Sequence, residues 1–186
     1  MKLKNRMLGA VPGGILVALG LVMSSAVYAA GSHGGGHHDE APKYGKPGIA
    51  SEATRTIQIE LGDNFFAPEK LSFKAGETIR FEVVNKGEFV HEFNIGTQLM
   101  HAAHQKEMAM MMEHGAIEVD RINHDKMKMD MGGGHKMGHD DPNSILLEPG
   151  KSGEVIWKFS TSGSLEFACN LPGHYESGMV GEISVN

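Results

Sequence analysis

The sequence is poor in thiols, since Cys169 is the only cysteine among 186 residues. One cysteine excludes a disulfide within the chain and a binuclear metal centre built on two cysteines. It also excludes a lipid anchor on an N-terminal cysteine, because Cys169 lies near the opposite end. Three interpretations remain for this thiol: a buried inert side chain, a disulfide to another chain, or a thiolate bound to a metal.

Histidine motifs typical of multinuclear metal clusters are absent as well. The sequence contains no His-x-His pair and no His-Cys-His motif, although it has 11 histidines. Nor does it present a recognisable set of base, nucleophile and oxyanion donors. We therefore expect that the protein is not an enzyme.

Basic residues are scarce beyond the N-terminus. The first six residues contain three of the 17 lysines and arginines, and a mostly apolar run follows over residues 7–30. This pattern predicts a signal peptide of residues 1–29, cleaved after Ala29, with an uncleaved membrane anchor as the alternative. Cleavage leaves a net charge of −9, because it removes none of the 23 acidic residues. We expect a periplasmic protein without stable membrane insertion, whose acidic surface disfavours nucleic acid.

Two regions, residues 54–97 and 144–186, contain short segments in which apolar and polar residues alternate between turns. This spacing predicts an all-β domain, an antiparallel sandwich or barrel. The expected strands are residues 56–61, 71–73, 78–84, 89–95, 145–147, 155–159, 165–169 and 179–185. Residues 30–53 precede the domain as a Gly/His-rich linker, and the prolines and glycines at its end predict irregular backbone.

Residues 98–141 interrupt the β domain and differ from it in composition. They hold nine of the 13 methionines and six of the 11 histidines. Residues 98–114 have the composition of a helix, whereas residues 127–141 are low-complexity sequence that we expect to be flexible. Because the cost of closing a loop rises slowly with its length, we expect the sandwich to tolerate this insertion as a surface feature.

The strongest chemical signal is the segment from Cys169 to Met179, which also contains His174. Thiolate, imidazole and thioether are ligands that suit copper, and a site of two histidines and one cysteine with a weak axial methionine needs one more histidine. His91 is the best candidate, because it lies on a predicted strand outside the low-complexity segments. Taken singly, each of these residues has a packing or surface role as its alternative.

The spacing Cys-x4-His-x4-Met, the upstream strand histidine and the run from Phe66 to Thr78 resemble the cupredoxin, or blue-copper, family. The segment from His91 to Thr97, followed by a Met/His-rich insertion, is similar to the bacterial copper-tolerance cupredoxins known as CopI. The resemblance covers residues 54–97 and 144–186, and the insertion only in kind.

The resemblance implies a Greek-key β-sandwich and one-electron Cu(I)/Cu(II) chemistry. It also implies a single type 1 copper with four ligands, His91, Cys169, His174 and Met179. One position departs from the family pattern. Glu92 stands where many cupredoxins have Asn or Ser that bonds the cysteine sulfur or braces the loop, which bears on the potential and colour of the site.

The insertion has candidate copper ligands of its own. Four of them share one face when placed on a helix: His101, His104, Met108 and Met111. Imidazoles and thioethers bind Cu(I), but the alternative is a Met-rich face that packs over the β domain. In the low-complexity part, His135 and His139 lie among methionines, glycines and aspartates, which predicts weak capture of additional Cu(I) rather than a merely solvated loop. The linker histidines His33, His37 and His38 have the same interpretation.

Two functions fit these features. The first is copper tolerance, in which the protein binds or oxidises excess copper, and the second is a small electron-transfer shuttle between membrane redox partners. A shuttle needs only one copper, whereas tolerance gains from additional capture sites, so the insertion favours tolerance. The expected partners are copper ions and a redox partner protein.

Overall fold

The computed structural model describes residues 41–130 and 138–186. The predicted signal peptide, the linker histidines and His135 lie outside these residues. The strands are β1 (Gly45–Pro47), β2 (Arg55–Gly62), β3 (Phe65–Ala67), β4 (Lys70–Phe73), β5 (Thr78–Asn85), β6 (His91–Gly96), β7 (Ser144–Leu147), β8 (Ser152–Phe159), β9 (Gly163–Ala168) and β10 (Val180–Val185). The helices are α1 (Ala41–Tyr44) and α2 (Gln98–Glu113), with 3-10 turns at Ala50–Glu52 and Lys126–Lys128.

The strands form two five-stranded sheets. One sheet has the order β1-β8-β5-β2-β3, and the other has the order β4-β10-β9-β6-β7. Most neighbouring strands are antiparallel, but β2 with β5 and β4 with β10 are parallel. The predicted all-β sandwich is confirmed, and its sheets are mixed rather than purely antiparallel.

Phenylalanine side chains from both sheets meet in one core. Phe81 and Phe159 come from one sheet, Phe93 and Phe167 from the other, and all four are fully buried. The Phe81 and Phe93 rings lie 5.2 Å apart across the sandwich. Burial of one such side chain contributes about 1.5–3 kcal/mol, so this cluster fixes how the two sheets face each other.

Strand β6 is buried along its whole length, from His91 to Gly96. Successive side chains of a strand point to opposite faces, and a strand at the surface therefore alternates between buried and exposed. In β6, Phe93 and Ile95 join the core cluster, while the helix α2 contacts the same strand. Both faces are therefore covered, and the polar side chains of Glu92 and Asn94 are buried with the apolar ones.

The helix predicted for the insertion is confirmed as α2. The Thr97 hydroxyl oxygen accepts a hydrogen bond from a backbone N–H of the first turn, at 3.2 Å, which caps the helix start. The helix ends just before Gly115. The φ of Gly115 is 69°, in the left-handed region that glycine adopts without a steric cost. Its inward face carries His101, Met108 and Met111, all buried.

Part of the insertion belongs to the core, as the packing alternative for its helix predicted, so the insertion is more than a surface feature. Met108, Met111, Ala116 and Ile117 belong to the same buried cluster as the sheet side chains. Met127 packs against this cluster, so the expected flexibility does not hold at that position. The physical reason is that an unbranched thioether side chain fills irregular apolar gaps well, whatever the complexity of the sequence around it.

The end of the linker also differs from the prediction. Residues Gly45–Pro47 form β1 and pair antiparallel with Trp157–Phe159 of β8, although irregular backbone was expected there. Glycine is needed at this point, because a Cβ on Gly45 would lie 2.1 Å from the indole nitrogen of Trp157. Pro47 is tolerated since it lies on an edge strand.

Candidate metal centre

Three of the four predicted copper ligands converge at one end of the sandwich. The Cys169 sulfur lies 3.3 Å from His174 Nδ1 and 4.0 Å from His91 Nδ1. The ligand atoms of these residues all lie within 4.8 Å of one another, and we refer to the three residues as the thiolate cluster. His91 and Cys169 are fully buried, whereas His174 is half-buried.

The loop after β9 folds back so that the backbone of the remaining candidate, Met179, lies next to that of Cys169. The Cys169 N–H donates to the Met179 carbonyl at 3.2 Å, and the Met179 N–H donates to the His174 carbonyl at 3.0 Å. These two bonds fold the loop back on itself, as the sequence predicted. Gly173 and Gly178, with φ of 83° and 101°, allow the tight turns that the fold-back requires. Met179 is fully buried beside the strand that ends at Cys169.

In the metal-free protein, the environment of the thiolate cluster disfavours a free thiolate. Burial, together with the negative charge of Glu92, raises the pKa of the Cys169 thiol to about 12. Burial and the neighbouring His91 lower the pKa of His174, which keeps that imidazole neutral and able to donate a lone pair. One sulfur and two imidazole nitrogens, with a thioether in the same loop, form a donor set that fits copper.

Asp63 orients one of the histidines. Its carboxylate lies 2.8 Å from His91 Nε2 and accepts hydrogen bonds from the N–H groups of Glu88 and Phe89. Burial raises the pKa of Asp63, but the hydrogen bond to His91 and these backbone hydrogen bonds lower that pKa further, so it lies below its usual value. A carboxylate on the outer ring nitrogen fixes the tautomer, so Nδ1 of His91 is left free to face Cys169.

Glu92 connects the thiolate cluster to the loop that follows it. Its backbone N–H donates to the Cys169 sulfur at 3.3 Å. Its Oε2 accepts hydrogen bonds from the backbone N–H and the side-chain amide of Asn170, at 3.1 and 2.9 Å. The backbone N–H of Glu92 thus holds the sulfur and its carboxylate braces the loop, at the position where the resemblance led us to expect Asn or Ser.

The other carboxylate oxygen of Glu92 belongs to a second group of ligand-type side chains. Glu92 Oε1 lies 2.9 Å from His104 Nε2 and 2.6 Å from His139 Nε2, and the two nitrogens are 3.3 Å apart. We refer to Glu92, His104 and His139 as the Glu92 cluster. Their donor atoms also lie within 4.8 Å of one another.

The Glu92 cluster is strongly charged for its burial. Burial by itself raises the pKa of the Glu92 carboxyl, but the two histidines hold that pKa well below its usual range. Burial lowers the pKa of His104, yet the charge of Glu92 and the hydrogen bond to Glu107 raise it to about 10. A carboxylate in this position is therefore ionised and available as a ligand or as an ion-pair partner.

The secondary copper candidates in the insertion lie in different environments. Met108 and Met111 pack into the hydrophobic core, which is the packing alternative given above. His101 is buried with its Nδ1 3.2 Å from the Asn170 amide nitrogen, and it does not belong to either cluster. His104 and His139 meet at Glu92, and His135 lies outside the described residues.

Sequence reasoning missed Asp63 and the ligand potential of Glu92. Asp63 lies 28 positions before His91, and nothing in the local sequence links the two. For Glu92 a signal was present: an acidic side chain on a strand next to a candidate ligand must find partners if both strand faces are covered. The sequence did not show that the insertion covers the second face.

Comparisons with known proteins agree with this geometry. The model of the copper-binding plastocyanin/azurin family matches residues 53–186. The chain belongs to this family. It is 44% identical over 176 residues to the copper-resistant cuproprotein CopI of Pseudomonas aeruginosa, covering 91% of this chain and 93% of that protein. It is 35% identical over 189 residues to the copper-resistant cuproprotein CopI of Rubrivivax gelatinosus, covering 98% and 99%.

Among solved structures, auracyanin B matches with a TM-score of 0.53 at 22% identity, over 77% of this chain and 96% of its own. At this identity the match shows the shared fold. The resemblance to cupredoxins, and within them to CopI, is therefore confirmed.

None of the helices in the described part of the chain has the length and apolar character needed to span a bilayer.

Proposed function

We propose that the protein is a periplasmic type 1 copper protein that acts in copper tolerance. It binds excess copper, or oxidises it and passes the electron to a redox partner protein. The observation that carries the proposal is the convergence of His91, Cys169 and His174 in a chain whose family binds copper. Support for tolerance comes from the names of its relatives, which are described as copper-resistant cuproproteins.

In the proposed site, the Cys169 thiolate and the Nδ1 atoms of His91 and His174 would hold the copper ion, and the Met179 thioether would be a weaker fourth donor. Copper bound there supplies one-electron chemistry between Cu(I) and Cu(II). Asp63 orients His91, and the Glu92 N–H holds the sulfur in place. These residues bind and position the metal, and we propose no catalytic role on an organic substrate.

Additional Cu(I) capture is assigned to exposed thioethers rather than to the whole methionine set. Met110 and Met129 are 41% and 51% exposed, in contrast to the buried Met108 and Met111. An exposed thioether binds a soft cation without opening the core. The two exposed methionines are therefore better placed for weak capture than the two buried ones.

Absorption and paramagnetic-resonance spectra of the copper-loaded protein test the type 1 assignment. We expect an intense thiolate-to-copper band in the wild type, and its loss or conversion in His91→Ala and His174→Ala. His114→Ala is the matched control, because that histidine is exposed at the end of α2. A wild-type protein that binds copper without this band contradicts the assignment.

Growth in excess copper separates tolerance from shuttling. A strain without the native gene receives the wild type or a variant with Met110→Leu, Met129→Leu, Met131→Leu and Met137→Leu, which removes thioethers and keeps apolar bulk. If capture serves tolerance, the variant binds less Cu(I) per protein and supports poorer growth, with an unchanged visible spectrum. Equal Cu(I) binding and equal growth favour the shuttle.

One observation supports the shuttle as the second candidate. His174 is the half-buried member of the thiolate cluster, so the cluster reaches the surface through this ring. A ligand at the surface gives a redox partner a short path to the metal. Fast electron exchange with a partner protein, together with normal copper growth of a strain without the gene, would favour this function.

Periplasmic location rests on the predicted signal peptide and is tested separately. Intact-mass analysis of the exported protein is expected to give Ala30 as the first residue. A mass that retains residues 1–29 would indicate the membrane-anchored alternative instead.

A further inference from the structure

The Glu92 cluster joins three side chains from three separate parts of the chain. Glu92 comes from β6, His104 from α2, and His139 from the segment before β7. Glu92 is fully buried, and the side chains of His139 and His104 are 2% and 11% exposed. Buried charged and polar groups are expensive unless they are paired or bind a metal, so this convergence requires an explanation.

Hydrogen bonding alone accounts poorly for the arrangement around Glu92 Oε1. Besides the two imidazoles, Ser144 Oγ donates to this oxygen at 2.7 Å and Asn94 Nδ2 donates at 3.2 Å. A carboxylate oxygen has about two lone pairs, whereas four groups point at this one. If both histidines were protonated, two positive rings with nitrogens 3.3 Å apart would share a single carboxylate.

Outer contacts orient two of the three side chains as metal ligands are oriented. His104 Nδ1 lies 3.0 Å from Glu107 Oε2, so this carboxylate holds the outer nitrogen and Nε2 points inward. Glu92 Oε2 is held by Asn170, which leaves Oε1 for the cluster. A carboxylate on the far nitrogen of a ligating histidine, and hydrogen bonds to a ligating carboxylate, are the usual supports of a metal site.

We propose that Glu92, His104 and His139 form a binding site for one divalent first-row metal ion, to which Cu²⁺ binds most tightly. Two imidazole nitrogens and one carboxylate oxygen are borderline to hard donors, which suit Cu²⁺ or Zn²⁺ better than Cu(I). Among divalent ions the order of affinity at such donors places copper highest. The site thus differs in chemistry from the Cu(I) capture assigned to the exposed methionines.

The surroundings provide a path for a cation. A surface groove is lined by His139 together with Asp140, Asp141 and Ser144. Two aspartates and one lysine, Lys128, line this groove, so net negative charge lies beside the less accessible of the two cluster histidines and raises the local concentration of cations. The proposal does not rest on the proposed function, because the Glu92 cluster shares no ligand with the thiolate cluster.

Titration calorimetry with Cu²⁺, repeated with Zn²⁺, tests the site in the full mature chain. The background variant carries Cys169→Ala to disable the thiolate cluster, and His33→Ala, His37→Ala and His38→Ala to remove the linker histidines as competing donors. We expect one Cu²⁺ per protein and weaker binding of one Zn²⁺. The paramagnetic-resonance spectrum of the Cu²⁺ form is expected to show nitrogen coupling.

Substitutions in the cluster then decide the assignment. Glu92→Gln and His139→Ala are each expected to weaken binding by about 100-fold or more, because removal of a ligand costs at least as much as loss of an outer support. His114→Ala is the matched control, since it lies exposed in the same insertion and outside that groove, and it is expected to bind as the background does. Circular dichroism confirms that each variant is folded.

Unchanged affinity in both Glu92→Gln and His139→Ala would overturn the proposal and leave the cluster as a hydrogen-bonded ion-pair network. Equal losses in the control and in the cluster variants would also overturn it, because they would indicate non-specific binding to the insertion. Loss in Glu92→Gln alone, with His139→Ala unaffected, would contradict the three-ligand site as stated.

Discussion

The thiolate cluster and the Glu92 cluster lie on either side of a single peptide unit, since His91 and Glu92 are consecutive residues of β6. Consecutive strand residues point to opposite faces, so one strand serves both groups. The thiolate cluster takes its ligands from β6 and from the loop after β9. The Glu92 cluster takes two of its three ligands from the insertion.

This difference in origin is matched by a difference in chemistry. A sulfur and two nitrogens make the first cluster soft, whereas an oxygen and two nitrogens make the second one harder. The sandwich alone brings together the candidate ligands of the thiolate cluster, from β6 and from the loop after β9. The insertion uses the outer face of the same strand to assemble a site of another kind.

The largest expected effect separates the two clusters by spectrum. Cys169→Ala is expected to abolish the intense thiolate-to-copper absorption completely, because Cys169 is the only thiol in the chain. His139→Ala is expected to keep that band, since its ring touches Glu92 and Ser144 but not the thiolate cluster. Visible absorption of both copper-loaded variants is the measurement, and a band retained in Cys169→Ala would refute the ligand assignment.

A second prediction concerns the helix on which the Glu92 cluster depends. Met108→Ala is expected to reduce the free energy of unfolding by about 2–5 kcal/mol, because it removes a fully buried side chain from the core. Met110→Ala, two positions later and 41% exposed, is expected to change it by less than about 0.5 kcal/mol. Urea denaturation of the metal-free proteins measures both values, and equal effects would contradict the packing of α2.

The sequence predicted the sandwich because its strands alternate and its turns carry glycine, and α2 because residues 98–114 lack proline and glycine. It also predicted the four candidate copper ligands, since three of them lie within 11 residues and His91 lies on a predicted strand outside the low-complexity segments. These features depend on local pattern, which a single sequence displays directly.

Features that depend on contacts across the fold could not be predicted in this way. Asp63 meets His91 only because the turn after β2 lies against the turn after β5. Gly87 leaves room for the Asp63 carboxylate, since a Cβ on Gly87 would lie 2.2 Å from Asp63 Oδ1. The burial of Glu92 requires α2 to cover β6, which no residue of β6 reveals. The low-complexity appearance of the insertion likewise concealed that Met108 and Met127 pack on the core.

The third prediction tests how much the thiolate cluster depends on its outer support. Asp63→Ala is expected to weaken copper binding by about 10–100-fold, because it frees the Nε2 side of His91. Competition with a copper chelator measures this affinity. Glu60→Ala is the control, because Glu60 lies on β2, the strand that ends just before Asp63. Equal affinities of Asp63→Ala and the wild type would show that His91 needs no such support.

Asp63 also predicts a pH dependence of the metal-free protein. The pKa of Asp63 is lower in the folded protein than in the unfolded one. Its ionised carboxylate therefore contributes to the free energy of unfolding at pH values above the usual pKa of Asp, and this contribution is lost as the pH falls through the lowered pKa. The side chain is 37% exposed, so solvent screening limits this contribution to about 1 kcal/mol or less. The free energies of unfolding of the wild type and Asp63→Ala should therefore differ at pH 7 and converge in acid.

The smallest expected effect sharpens the contrast between soft and hard donors. Met179→Leu keeps the apolar volume of a fully buried side chain and removes only the thioether. We expect the copper and its colour to persist, because the thioether would be a weak donor that tunes the site, while the thiolate and the imidazoles would hold the metal. The reduction potential should rise, since loss of a donor and a more apolar surrounding both disfavour Cu(II). Voltammetry measures the shift, and Met110→Leu is the control for a methionine outside the cluster. Loss of copper from Met179→Leu would contradict this prediction, because it would show that the thioether is needed to hold the metal and that the thiolate cluster is incomplete without it.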